Sequence, residues 1–385
     1  MNLQNYLQHL LEQRQQDNLY RTRLTHENTH TPMLTIAGKT YLNFCSNDYL
    51  GLANHPRLVD SLQQNVNKYG VGSGASHLVT GHSDIHHEAE QILAEFVGRE
   101  RALLFSTGYM ANLGIVSALL KRKDIIFSDK LNHASLIDAA TLSPAQIQRY
   151  RHNELEHLQH LLAKSSAPHK LIMTDGVFSM DGDLASLPEL VKLAKMHDAW
   201  IMVDDAHGLG VLGKNGRGML EHYQLSQDDV PILMGTLGKA LGVFGAFVAG
   251  SELLIDALIQ FARTYIYTTA LPPAIAGAVI TSVDIVQKES WRREKLQESI
   301  HYFRHIAQQR DIPLMDSFTP IQPIMLGTAD KAMQASQQLK EKGIIVTAIR
   351  PPTVPQNTAR LRITLSASHE KSHIDKLLDS LANIW

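Results

Sequence analysis

"SLPELVKLAKMHDAWIMVDDAHGLG" (186–210) runs from an amphipathic helix straight into a short apolar strand. The strand ends in two carboxylates, Asp204 and Asp205, with His207 three residues beyond Asp204. A carboxylate at the dry end of a buried strand is costly unless a cation meets it. Asp204 therefore reads in three ways: a helix N-cap, a Mg²⁺ ligand, or the partner of a cation such as a protonated pyridine nitrogen.

Outward from this stretch the same alternation recurs, from about residue 86 to 250. "HHEAEQILAEFVG" (86–98) and "GYMANLGIVSALLK" (108–121) are helices, with the strand "RALLFS" (101–106) between them. "DIIFSD" (124–129), "KLIMTDG" (170–176) and "PILMGTLG" (231–238) are further short strands with apolar centres. Short apolar strands separated by amphipathic helices predict an α/β fold with a mainly parallel sheet covered on both faces. In such a sheet ligands bind beyond the carboxyl ends of the strands.

The pattern changes after about residue 285. A long helix (290–310), the strand "IQPIMLG" (321–327), a helix (331–343), the strands "IIVTAI" (344–349) and "ARLRITL" (359–365), and a closing helix (372–385) read as a smaller α+β domain. "MLTIAGKTYLNFCS" (33–46) reads as a strand pair around a Gly-Lys turn, preceded by an N-terminal helix with Leu3, Tyr6, Leu7, Leu10 and Leu11 along one stripe. The expected division is 1–50, an N-terminal helix and strand segment; 51–285, a large domain; and 286–385, a small C-terminal domain.

Composition narrows the classes. The chain has 385 residues, 44% hydrophobic and 19% charged, with a net charge of −2. That balance gives no electrostatic case for nucleic acid or an anionic membrane. No run is long and apolar enough for a membrane span, and the N-terminus lacks the apolar core of a signal peptide. The single cysteine, Cys45, rules out a disulfide framework and fits a reducing cytoplasm. Among 20 histidines, His86 and His87 are adjacent on a helix and do not face one another, so no shared metal is expected between them.

Three further strand ends carry chemistry. "FSTGYMANLG" (105–114) leads through Gly108 into a helix start, where free N–H groups suit a phosphate or simply a capped helix. "DGVFSMDGD" (175–183) offers Ser179, Asp181 and Asp183 without the spacing of a calcium loop. "GTLGKALGVFGAFVAG" (235–250) places one charged side chain, Lys239, among small and apolar residues. A phosphate cradle, a carboxylate, a histidine and a lysine at strand ends of one sheet match the needs of pyridoxal phosphate (PLP): an anion site, an acid for the pyridinium nitrogen and an amine for the aldehyde.

These stretches, with "NFCSNDYLGL" (43–52), "YGVGSGASHLVTG" (69–81), "HASL" (133–136), "RPPTVP" (350–355) and "ARLRIT" (359–364), resemble the α-oxoamine synthases over nearly the whole chain. The resemblance implies the fold-type I, aspartate-aminotransferase-like, PLP-dependent transferase fold. It makes Lys239 the Schiff-base lysine and Asp204 the pyridine-nitrogen partner. It gives His207 the ring's phenolic oxygen and His133 the stacking position on the ring. Gly108 and Tyr109 match the backbone phosphate cradle, and Ser179 and Thr236 match hydroxyl contacts. Arg21, Thr353 and Arg362 match substrate-binding positions. The family's members are homodimers, so Thr268 and Thr269 match residues reaching a partner's phosphate.

Within the family, "IYTTALPPA" (266–274) and "AIRPPTVP" (348–355) resemble the branch of biotin biosynthesis that condenses L-alanine with a pimeloyl thioester, on coenzyme A or acyl carrier protein. A sister activity joining glycine to acetyl-CoA is the near alternative. A nicotinamide dehydrogenase is the distant one, since "GVGSG" (70–74) does not lie between a strand and a helix. Arg360 and Arg362 share one strand face, and spacing does not choose between them as carboxylate binders.

Overall fold

In the computed structural model, which describes residues 2–17, 19–29, 32–382 and 384, the chain divides into two units. One unit comprises Asn47–Ser179 and Asp183–Lys295; the other comprises Met1–Ser46, Met180–Gly182 and Leu296–Trp385.

The strands among the described residues are β1 (Met33–Ile36), β2 (Lys39–Asn43), β3 (Arg101–Phe105), β4 (Ile125–Asp129), β5 (Gln146–Tyr150), β6 (Lys170–Asp175), β7 (Trp200–Asp204), β8 (Ile232–Thr236), β9 (Ala246–Gly250), β10 (Ile321–Gly327), β11 (Ile344–Ile345), β12 (Thr347–Ile349) and β13 (Ala359–Thr364). The larger unit holds a seven-stranded sheet in the order β3-β9-β8-β7-β6-β4-β5. Only β9 runs against its neighbours; β8, β7, β6, β4 and β5 pair in parallel. Because β9 is antiparallel to both β3 and β8, β3 points the same way as β8. The carboxyl ends of β3, β8, β7, β6 and β4 thus share one edge.

The central strands are apolar throughout because both faces are covered. Every residue of β4 and β9 is buried. On one face Phe105, Ile126, Met173, Met202 and Met234 pack with Ile115, Leu136 and Leu258 from the helices Gly108–Leu119, Ala134–Leu142 and Glu252–Phe261.

The smaller unit has two three-stranded sheets, β1-β2-β11 and β10-β13-β12. The hairpin turn differs from the expected Gly-Lys pair: Ala37 (φ 49°) and Gly38 (φ 71°) occupy it, and Lys39 already begins β2. Two left-handed residues are what a tight two-residue hairpin requires. The expected strand 344–349 is two strands, since Ile344 and Ile345 pair with β2 while Thr347 to Ile349 pair with β13. The parallel pairing of Leu42 with Ile344 also places residues 1–46 in one unit with 296–385, which differs from the three-part division expected from sequence. The helix Leu3–Gln16 forms as expected, but none of its residues is buried and its apolar stripe faces outward. Among the described residues no helix is long and apolar enough to cross a membrane.

Candidate active site

Lys239 follows β8 in a tight turn. Gly242 (φ +67°) makes that turn possible, since a Cβ there would lie 2.6 Å from the Ala53 nitrogen. The turn brings Lys239 Nζ to 2.9 Å from His207 Nε2. His207 is buried, and its other ring nitrogen lies 2.5 Å from the Tyr49 hydroxyl. With Lys239 donating to Nε2, the ring proton sits on Nδ1 and is donated to the Tyr49 oxygen.

Asp204 closes β7 and is 3% exposed. Its Oδ2 accepts from Asn112 Nδ2 at 2.8 Å and its Oδ1 from the Ala206 N–H at 3.1 Å. Among the described residues it has no ion-pair partner, so a buried carboxylate faces the site without a cation. Asn112 Nδ2 also donates to Ser135 Oγ at 2.8 Å, and that hydroxyl lies 2.7 Å from His133 Nδ1. The His133 N–H donates to Asp175 Oδ2 at 2.6 Å. One network therefore links Asp204, Asn112, Ser135, His133 and Asp175. Burial lowers the pKa of His133, which keeps its imidazole neutral. Burial, with Asp204 close by, pushes Asp175 well up.

Asp205 is fully buried and directed away from this network. Its Oδ2 accepts from the Met219 N–H at 2.8 Å, and a Cβ at Gly218 would fall 1.9 Å from that oxygen. It organises the loop after β7.

Thr236 and Phe105 both register opposite Ala246, so the end of β8 and the start of the helix Gly108–Leu119 are brought together across β9. Thr107 caps that helix, its hydroxyl accepting from the Met110 N–H at 3.1 Å. The Gly108 and Tyr109 N–H groups are first-turn donors with no intrahelical acceptor, the arrangement that binds phosphate. Tyr109 is exposed and donates its hydroxyl to Asp138; Thr236 donates its hydroxyl to the Gly245 carbonyl at 3.1 Å.

Ser179 lies in the loop after β6, which is held by His152. That ring bonds Asp129 at 2.9 Å and Asp183 at 2.8 Å. Burial pulls the ring's pKa down, but the hydrogen bonds to Asp129 and Asp183 outweigh it and raise it from 6.5 to about 10. A group raised in the folded state stabilises below its unfolded pKa and loses that effect as pH rises through the folded one. His152→Gln is therefore expected to cost roughly 2 kcal/mol at pH 6. The deficit should shrink as pH approaches 10. Urea unfolding across that range checks it, and a pH-independent deficit would refute the ion-pair account.

Thr268 is half-buried and Thr269 exposed, on the segment after the short helix Arg263–Ile266. Neither joins the Lys239–His207 or Asp204 contacts. Three expected site residues belong to the smaller unit. Arg21 and Thr353 line a cavity of about 370 Å³ there, with Arg350 and Met333. Arg362 is buried and donates to Thr364 Oγ1 at 3.0 Å. Arg360 pairs with Asp181 and donates through Nε to the Thr358 carbonyl at 3.0 Å.

The sequence reading did not single out Tyr49, Asn112, Ser135, Asp175 or His152. A signal for Asn112 was present, as it is the one amide in the apolar helix "GYMANLGIVSAL".

Residues 39–381 match the family described as aminotransferase class I and II. An 8-amino-7-oxononanoate synthase of Saccharophagus degradans is 55% identical over 386 residues, covering 100% of this chain and 97% of that relative. A solved serine palmitoyltransferase from S. paucimobilis with a bound PLP–myriocin aldimine has a TM-score of 0.94 at 31% identity, over 100% of this chain and 98% of that one. A solved 8-amino-7-oxononanoate synthase from Francisella tularensis has a TM-score of 0.79 at 36% identity, over 89% of this chain and 97% of that one.

Proposed function

The chain belongs to the aminotransferase class I and II family, and from that premise we propose that it is a PLP-dependent acyltransferase with 8-amino-7-oxononanoate synthase activity. It condenses L-alanine with a pimeloyl thioester, releasing CO₂ and a free thiol, in a step of biotin biosynthesis. The full-length similarity to a relative of that name carries the reading of the activity.

The residues present fit the cofactor. Asp204 is a buried carboxylate with no ion-pair partner among the described residues, Lys239 is an amine turned toward the same edge of the sheet, and first-turn N–H groups lie at the adjoining strand end. When bound, PLP supplies an electron sink adjacent to the amino acid's Cα.

The chain's own groups do the rest. Asp204 holds a proton on the pyridine nitrogen, and Asn112 and the Ala206 N–H hold Asp204 in place. Lys239 is the amine that would hold the cofactor's aldehyde, and as a free amine it would take the substrate's Cα proton as general base. His207, backed by Tyr49, orients the lysine, and the same Nε2 edge would face the phenolic oxygen of a bound cofactor. His133, fixed by Ser135 and Asp175, would stack on the cofactor ring. Gly108 and Tyr109 would cradle the phosphate with their backbone N–H groups, and Ser179 and Thr236 would supply hydroxyl contacts to the cofactor.

Substrate contacts fall to Arg21, Thr353 and Arg362. Of the two strand arginines, Arg360 is paired with Asp181, and Arg362 is the one the family resemblance gives as a substrate-binding position. Thr268 and Thr269 reach the phosphate of a second copy in a homodimer. The uncovered stripe of Leu3, Tyr6, Leu7, Leu10 and Leu11 supports such a partner, since contiguous exposed apolar surface marks an interaction site. The enzyme works in the cytoplasm, in keeping with its single thiol.

Thiol release with paired substrates tests the activity. Alanine with a pimeloyl thioester is expected to turn over well above glycine with acetyl-CoA. The reverse order would assign a sister reaction.

A further inference from the structure

The segment between the short helical turn His77–Gly81 and the helix Asp84–Val97 gathers histidines that the proposed reaction does not use. His87 and Glu90 stand three residues apart on one helix face, and His82, just before the helix, folds back toward them. One ligand atom from each of His82, His87 and Glu90 lies within 4.8 Å of the other two. Donors on a four-coordinate ion with bonds of about 2.1 Å are roughly 3.4 Å apart.

Glu90 is the reason to expect an ion. Its carboxylate is buried, accepts a single hydrogen bond, from the Leu104 N–H at 2.9 Å, and has no ion pair among the described residues. Arg101 is already engaged with Asp256. A buried charge is stable when paired or bound to a metal. His82 and His87 are exposed, so the carboxylate has a solvent-open pair of imidazoles above it.

His82 is also oriented as metal-ligating histidines are. Its Nδ1 lies 3.0 Å from His77 Nδ1. With His82 donating through Nδ1, its Nε2 lone pair is open, and outer partners of this kind fix a ligand's tautomer. His86 takes no part, because its Nε2 is bonded to the Leu271 carbonyl at 2.5 Å.

We propose that His82, His87 and Glu90 form a binding site for a divalent transition metal ion of the Zn²⁺ class. Two imidazoles and one carboxylate suit a borderline ion and not Ca²⁺ or Mg²⁺, which take oxygen donors. Three protein ligands leave a fourth position for water.

The test uses the full chain after chelator treatment, titrated with Zn²⁺ against a chromogenic chelator, with Co²⁺ absorption as a second readout. One equivalent is expected at the site, with affinity falling at least about tenfold in His87→Ala and in Glu90→Gln. Glu90→Gln keeps an acceptor for the Leu104 N–H, and the exposed His82→Ala covers the case in which a buried change unfolds the chain. His222→Ala should leave binding unchanged. Absence of stoichiometric Zn²⁺ binding, or binding equally strong in all three site variants, would overturn the proposal.

Discussion

Lys239→Ala is expected to lower turnover by about 10⁴-fold, the upper range for loss of a positioned proton-transfer group, while leaving the fold intact. The lysine is only half-buried, and its turn is shaped by Gly242 and by backbone bonds such as Val243 N–H to the Leu237 carbonyl at 2.9 Å, not by the side chain. Removing it leaves His207 its bond to Tyr49. The variant should therefore melt near the wild type. It should still take up PLP through the Asp204 and helix-start contacts, but retain none covalently after borohydride reduction, read by mass spectrometry. A reduced adduct persisting on the variant would move the covalent attachment to another amine and sink the assignment.

Much of this arrangement is legible in the sequence, for a physical reason. Strands buried on both faces are continuous apolar runs, so β4, β6, β7 and β8 stand out, and their polar final residues mark the functional edge. The edge strand β5, "QIQRY", escapes because three of its five residues are exposed and polarity is no cost there. The residues that support the site escape for another reason. Tyr49 meets His207 across 158 positions and Asn112 meets Asp204 across 92, contacts that only the closed sheet creates. The same holds for Leu42 and Ile344, whose pairing decides which unit the N-terminal segment joins. Local pattern specifies elements; partners distant in sequence appear only with the fold.

Asp204→Asn is expected to cut kcat by about 10³-fold, the scale on which a preorganised electrostatic partner contributes. The substitution conserves shape but not charge or acceptor count. Asp204 accepts from both Asn112 and the Ala206 N–H, whereas an amide has a single oxygen, so one of those donors loses its acceptor. Asn112 Oδ1, a buried acceptor without a donor among the described residues, can take the new N–H if its amide rotates, though its bond to Ser135 is then lost. The chain without cofactor should thus change stability by only about 1–2 kcal/mol. The effect on the cofactor differs in kind, because a neutral amide no longer favours a protonated pyridine nitrogen. The rise in Tm on adding PLP should shrink, since a ligand stabilises in proportion to its affinity. A kcat deficit with a reduced PLP-dependent Tm shift is the combined signature expected of an acid that meets a cation. Near-normal turnover would mean that Asp204 serves the loop after β7, as Asp205 does, and not the chemistry.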